Sequence, residues 1–526
     1  MKTLKIALII SYFAILLTTL IMFLTELIDA KSPLHETHTN VMYIWFAAFV
    51  VLLFVGLYFS VLNKIDLSKN NAFHFLVISI AIIFFVKIII STYAKGLSID
   101  VNLFTFWAKD AGKDLIGFYK PAPFFCDYPP LYITILAIFN KLTLIGIPEI
   151  ITIRLPALFA EIGVSLLIFK IASKQSKYVL GLFLALAFSL NPLVIFDASL
   201  WGQMDSVLAF FIVLAIYLTT ITHKRFPSLY FILSAVVFAS ALLIKPQALF
   251  FFPILIFALL KNKKFLPILY AGFAGVVTIT LIVLPFQKNN MPVVSGILDW
   301  PVVRDFVWIV NLFIGTAGGY TYATVNAATT YFPLGKNWVF DSPQPKDPNA
   351  IYEKVFGLDL ATFGLILVGL VILIAAFVFL KGKHPGIPWL TAAFLNAGIF
   401  MTATRMHERY MFTVVVLLIV AFIYTKDLIV PFLIALFTLT IYINTDYVYT
   451  RQLVTATLYG PDKANTWIQN TSISINFVSI LNMVGLITLF TILLGVAVNN
   501  YIPQQISNIQ KPLTRTQIRS KQRKLK

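Results

Sequence analysis

The chain has 526 residues, of which 59% are hydrophobic and only 12% charged, with a formal net charge of +18. A soluble domain carries roughly 25% charged residues, so this composition excludes one and points to a polytopic membrane protein. The lone Cys126 excludes an intrachain disulfide and a paired-cysteine zinc site. The positive excess reads first as membrane topology, with no nucleic acid implied.

In chain order, apolar runs predict spanning helices at 6–28, 41–63, 72–94, 154–173, 178–197, 205–222, 229–245, 247–260, 264–287, 358–380, 387–404, 410–425, 428–446 and 476–499. The class is all-α, with about fourteen transmembrane helices at roughly 20 residues each. The first run lacks a small-residue cleavage site and reads as a spanning helix rather than a signal peptide. The 247–260 run is short, which suits a tilted, kinked or partly re-entrant segment. The predicted organisation is two helices in 1–71, a module in 72–287 with a loop at 95–153, a loop at 288–357, a second module in 358–499 and a basic tail at 500–526.

Orientation follows from the basic connections. Lys64/Lys69, Lys170/Lys174/Lys177, His223/Lys224/Arg225, Lys261/Lys263/Lys264 and Lys381/Lys383/His384 fall on one side, read as cytoplasmic. Asp197–Asp205, Pro285–Glu353, Thr404–Tyr410 and the polar stretch Lys95–Arg154 fall on the other. If Leu131–Ile147 also crossed, every later connection would invert against its charge. It is therefore read as an interfacial or re-entrant segment. Both termini are then expected in the cytoplasm of a multi-pass cell-membrane protein.

Residues able to carry chemistry gather on the external side. Asp110 and Asp114 interleave with lysines and read as solvated charges. Val101, Phe104, Ala108, Ala111 and Leu115 fall at helical spacing and predict an apolar face beneath them. Asp100 precedes that helix, either as its N-cap or as a general base for a sugar hydroxyl. Asp127-Tyr128-Pro-Pro is either a turn or part of a sugar site. Asp197-Ala-Ser-Leu-Trp201-Gly-Gln203-Met-Asp205 reads as a tight turn whose aromatic, amide and acid groups suit carbohydrate. Lys245-Pro-Gln247 offers a snorkelling lysine or one paired with a lipid phosphate. Arg405-Met-His407-Glu-Arg409-Tyr is either an ion-pair network or a phosphate clamp. It lacks the second histidine of a zinc protease motif. Arg154 is an interface anchor or a further phosphate contact. The loop with Gly318-Gly319-Tyr-Thr-Tyr and Val325-Asn-Ala-Ala reads as a substrate-side lid or acceptor wall.

Asp-Tyr-Pro-Pro at 127–130, Trp-Gly-Gln-Met-Asp-Ser at 201–206, Lys-Pro-Gln at 245–247 and Met-His-Glu-Arg-Tyr at 406–410 together resemble one family. It is the C superfamily of integral-membrane glycosyltransferases, specifically the prokaryotic group similar to the GPI-anchor mannosyltransferase that adds the second mannose. The resemblance runs from about Ile80 to Ile443. It implies a multipass fold with a large first external loop holding juxtamembrane helices. It also implies a polyprenyl- or dolichyl-phosphate sugar as donor and a glycan, lipid or protein acceptor. An acid at the start of that loop is the implied base, which maps to Asp100. The second adjacent acid of some relatives is missing, so Asp127 stays a rival. Arg405, His407 and Arg409 map to the region around the carrier phosphate. No cofactor and no metal are implied. A lipid or sugar transporter is the alternative reading, though the internal pseudo-repeat common in transporters is not found.

Overall fold

The computed structural model describes residues 34–61, 65–120, 126–221, 226, 228–262, 265–286, 300–344, 349–453 and 461–499. The predicted span at 6–28 and the basic tail after Tyr501 lie outside them.

The described residues are mostly helical, with a non-helical loop over 319–344 and 349–353 and one two-stranded hairpin, Lys354–Val355 against Leu358–Asp359. Helices α1 (Leu34–Val61) and α2 (Lys69–Tyr93) come first, followed by the amphipathic α3 (Ser98–Lys113) and short α4 (Pro130–Asn140). The central group is α5 (Leu155–Lys174), α6 (Tyr178–Ser189), α7 (Asp205–Thr219), α8 (Leu229–Leu242), α9 (Phe252–Asn262) and α10 (Phe265–Val283). Helix α11 (Pro301–Gly318) precedes the hairpin. The chain then closes with α12 (Leu360–Lys381), α13 (Ile387–Thr402), α14 (Thr413–Thr425), α15 (Ile429–Leu453) and α16 (Pro461–Asn499).

Among the described residues six helices are long and apolar enough to cross a membrane, or seven if the bent pair Tyr178–Ser189 and Pro192–Trp201 is one span. This supports an all-α multi-pass membrane protein. Shorter apolar helices, such as α7 with 15 residues and α14 with 13, make up the rest of the body. The apolar core is dominated by one large cluster, with a smaller one around α3 and α4. Helix α14 is buried along nearly its whole length between neighbours, whereas α10 and α12 expose Phe273, Leu281, Leu365 and Leu373 outward. An outward apolar face of that kind suits lipid contact.

Two segments differ from the sequence expectation, at 178–197 and 301–318, and the short 247–260 run is irregular at its start. The 178–197 run breaks at Asn191-Pro192 and bends by 45° into a π-turn at Phe196–Trp201, because proline cannot donate to the preceding turn. The 247–260 run starts as a 3₁₀ turn, Pro246–Phe251, before α9. Helix α11 was unforeseen, because Arg304, Asp305 and Asn311 interrupt its apolar pattern.

Helices α3 and α4 pack against each other beside the main body. Val101, Phe104, Trp107, Ala108 and Ala111 of α3 are buried against Tyr132, Ile133, Leu136 and Ala137 of α4. Burying an aromatic such as Trp107 stabilises by about 2–3 kcal/mol. At roughly 1.5 Å per residue, the 11 residues of α4 run about 17 Å. The 3₁₀ turn Lys141–Ile145 that follows leaves Leu144 and Ile145 strongly exposed.

Candidate active site

The site begins with two glycines. Gly96 (φ 72°) follows α2 and Gly202 (φ 96°) follows Trp201. A Cβ on Gly96 would lie 2.5 Å from the Trp201 carbonyl oxygen and 2.7 Å from the Arg154 guanidinium. Only glycine allows this approach. The Leu97 amide then donates to the Trp201 carbonyl, which locks the start of α3 onto the Trp-Gly-Gln turn. That turn is closed from behind, where the Gly202 and Gln203 amides donate to the Asp197 carbonyl at 3.1 and 2.8 Å.

This locking brings Asp100 to Trp201 and Gln203. Trp201 Nε1 and Gln203 Nε2 each donate to Asp100 Oδ2 at 2.7 Å. Asp100 is thus not the N-cap of α3. Leu97 holds that place, and Asp100 stands in the first turn, where the helix dipole favours a negative charge. The Trp201 and Gln203 side chains are buried and committed to the carboxylate. They hold the acid rather than line the cavity, which corrects the substrate-contact role expected of them.

A cavity of about 620 Å³ opens in front of Asp100. Asp127, Tyr128, Lys245, Gln247, Arg405, His407 and Arg409 all line it. Residues from Asp100 to Tyr410 in sequence thus meet at one place. Its rim is apolar, with Ile99, Leu249 and Leu365 exposed by 63, 47 and 69%.

The cations are not bare. Lys245 Nζ lies 2.6 Å from Asp205 Oδ1. Arg409 bonds Glu408, sits 3.3 Å from Asp205 Oδ2 and lies over the Trp201 ring at 5.2 Å. Arg405 grips Asp341 through Nε at 2.7 Å and an Nη at 3.1 Å. Of the two readings left open for the 405–410 motif, the ion-pair network is therefore present, and all three cations are held in ion pairs. A buried cation needs a counter-charge, because desolvation alone costs several kcal/mol, on the order of the pair's own attraction. Asp205 does not line the cavity; it holds Lys245 and Arg409 in place.

His407 is held below the usual imidazole range, at about 3, first by burial and then by Arg409 and Lys245. It is a neutral ring, set edge-on to Tyr320 at 4.8 Å. Burial also pushes the Asp127 carboxyl up, with Lys245 and Arg409 opposing and Asp100 adding to it. Glu408 is raised by burial and pulled back by Arg409.

Arg154 lies away from the cavity. It is fully buried and donates to the carbonyls of Ser91, Ala94 at 2.9 Å and Leu200 at 3.2 Å. Neither an interface anchor nor a phosphate contact fits this placement. Its guanidinium ties the end of α2 to the Trp201 turn. Asp110 and Asp114 also stay outside the cavity, as expected. Tyr320, from the Gly318-Gly319-Tyr stretch read as a substrate-side wall, lines the cavity, whereas the sequence reading missed Asp341, Phe313 and Thr316. Asp341 is invisible as a partner of Arg405 until the loop folds back across 64 residues.

Residues 127–286 match the family described as dolichyl-phosphate-mannose-protein mannosyltransferase. The match covers less than half of the chain. It supports a membrane glycosyltransferase of the C superfamily, and mannose enters only through the family's description. No curated protein matches the chain. The matched stretch begins at Asp127 and includes Trp201, Gln203, Asp205, Lys245 and Gln247. Asp100 and Arg405–Arg409 lie outside it, yet the fold gathers both around the matched residues.

Proposed function

We propose that this protein transfers a hexose, mannose in the first instance, from a polyprenyl- or dolichyl-phosphate carrier to an acceptor at the outer face of the membrane. The observation that carries this reading is the composition of one cavity. It combines a fixed carboxylate, three guanidinium or ammonium groups and a neutral imidazole with a rim of exposed apolar side chains. A lipid-linked phosphate sugar has the matching parts: an isoprenoid chain for the rim, a phosphate for the cations and hydroxyls for the polar groups.

In this mechanism Asp100 takes the proton of the acceptor hydroxyl. Both of its protein hydrogen bonds fall on Oδ2, which leaves Oδ1 for the substrate. The acceptor oxygen attacks the anomeric carbon from the face opposite the phosphate, and the C–O bond to phosphate breaks with inversion. The electron pair leaves on the carrier phosphate, which is already ionised and needs charge stabilisation more than a proton. Lys245, Arg405 and Arg409 supply that stabilisation. His407, neutral at working pH, contributes a hydrogen bond. Asp127 lies in the same cavity as the rival base, and its raised proton affinity suits either a hydroxyl contact or proton uptake.

The topology proposed with this function counts the shorter apolar helices as crossings, fourteen in all, with α3 and α4 along the outer interface and both termini in the cytoplasm. The resemblance to the second-mannose enzymes favours a glycan acceptor. The test is to supply purified protein with polyprenyl-phosphate mannose and a glycan acceptor. Release of free polyprenyl phosphate together with an elongated acceptor supports the transferase. Movement of sugar or lipid across the bilayer with no bond cleaved supports the transporter instead.

A further inference from the structure

A second cavity, of about 530 Å³, lies away from Asp100. That volume falls in the range of roughly 300–1,000 Å³ usual for small-ligand sites. Phe332, Trp338 and Tyr447 give it aromatic walls, and Asn337, Asn476 and Arg451 give it polar ones. None of these residues touches the first cavity.

The polar wall is pre-arranged by one side chain. Asn326 Oδ1 accepts from Trp338 Nε1 at 2.9 Å, from Asn337 Nδ2 at 3.1 Å and from the Arg451 guanidinium. Asn326 itself is buried, and its carbonyl accepts from Asn444 of α15 at 2.7 Å. One fixed acceptor thus sets the orientation of an indole, an amide and a guanidinium together. Two backbone positions are strained to achieve this. Asn326 has φ 57° and Trp338 has φ 60°. Asparagine tolerates the left-handed region, but a bulky aromatic there is unusual. Trp338 nevertheless stays 41% exposed, so packing alone does not account for it.

Backbone pairing links the two sites. Val325 and Asn326 pair with His407, and the Val325 amide donates to the Met406 carbonyl at 3.1 Å. His407 faces the first cavity, while Asn326 organises the second.

We propose that the second cavity binds a pyranose unit of the acceptor glycan, distal to the hydroxyl that receives the sugar. This rests on the transferase reading above. An exposed aromatic face stacks on the C–H side of a pyranose, amides pair with its hydroxyls, and Arg451 meets a vicinal diol or a carboxylate. Acceptors long enough to reach both cavities bind through both, whereas short ones use only the first.

The test uses the full chain in nanodiscs, with mannose, linear mannotetraose and tetragalacturonate as probes. Saturation-transfer NMR reads contact and titration reads affinity. The expected result is saturable binding of one of the tetrasaccharides, weakened at least tenfold by Trp338→Ala and unchanged by Lys109→Ala, whose side chain is exposed and lines neither cavity. Trp338→Phe keeps the aromatic face and loses only the bond to Asn326, so a smaller loss is expected. That variant and the direct contact in the unaltered protein keep the test decisive if Trp338→Ala does not fold. The preferred tetrasaccharide identifies whether Arg451 meets a hydroxyl or a carboxylate. The proposal is overturned if neither tetrasaccharide binds, or if the Trp338 variants bind as the unaltered protein does. Turnover separates the two readings. Polyprenyl phosphate release with equal KM for short and long acceptors sinks this site alone, whereas Trp338-dependent glycan binding without release sinks the transferase.

Discussion

The Trp201 indole donates to Asp100 Oδ2 at 2.7 Å across 101 residues of chain, and the same ring lies under the Arg409 guanidinium at 5.2 Å. One side chain therefore aligns the carboxylate proposed as base with the cation proposed to hold the leaving phosphate. Trp201→Phe keeps an aromatic ring but deletes the donor and part of the buried indole. It is expected to lower kcat by about 10–100-fold, a part of the roughly 10²–10⁴ that a positioned base contributes, and to leave donor KM nearly unchanged. A rise in KM at constant kcat would instead make Trp201 a donor contact.

Lys245 and Asp205 form a buried pair, so each is needed by the other. Removing one partner of such a pair costs about 3–5 kcal/mol, whereas apolar replacement of both can be neutral. Lys245→Met alone should therefore unfold at lower temperature. Adding Asp205→Leu should recover part of the stability, since Arg409 also loses a counter-charge but keeps Glu408, and none of the transfer activity. Recovery of activity in the double variant would remove Lys245 from the phosphate site.

These placements mark what the sequence carried. Composition and the apolar runs were enough for the membrane class, because a roughly 30 Å core imposes a minimum length on any span. Four polar motifs were legible as candidates, since charged and aromatic groups at membrane depth are costly without a task or a partner. Their division of labour was not legible. Trp201, Gln203 and Asp205 have the composition of a sugar site, yet they face inward and hold Asp100, Lys245 and Arg409. Arg154 has the look of a phosphate contact, but Gly96 and Gly202 leave just enough room for it to bind backbone carbonyls. The pairing of Arg405 with Asp341 depends on a loop fold with no periodic signal. Short range in sequence decided the helices; long range in space decided the roles.

His407 offers a pH test. Its folded-state pKa of about 3 lies below the ordinary imidazole value near 6.5. The unfolded chain therefore takes up this proton first as pH falls. The histidine's contribution to stability is complete above about pH 6.5 and is lost progressively as pH falls from there towards about 3. Within the working range near neutrality the ring stays uncharged. The pH–rate profile of His407→Asn should thus match that of the unaltered protein between pH 6 and 8. A limb near pH 6.5 that vanishes in the variant would show a charged imidazolium at work.

Arg154 gives a purely structural prediction. Arg154→Leu removes the donors to Ser91, Ala94 and Leu200 and leaves buried carbonyls unpaired, at about 1–3 kcal/mol each. Thermal unfolding should drop markedly, and Arg154→Lys should recover only part of it, because an ammonium lacks the planar fork. If Arg154→Leu folds as stably as the unaltered protein and only donor KM rises, Arg154 belongs to the phosphate site after all.

The central claim is that Asp100 takes the acceptor proton. Single-turnover transfer from polyprenyl-phosphate mannose tests it most directly, with Asp100→Asn and Asp127→Asn compared at equal folded concentration. The account predicts a loss on the order of 10²–10⁴ in the transfer rate for Asp100→Asn, with donor binding retained, and a smaller loss for Asp127→Asn. Full transfer by folded Asp100→Asn, with the large loss falling on Asp127→Asn, would contradict it.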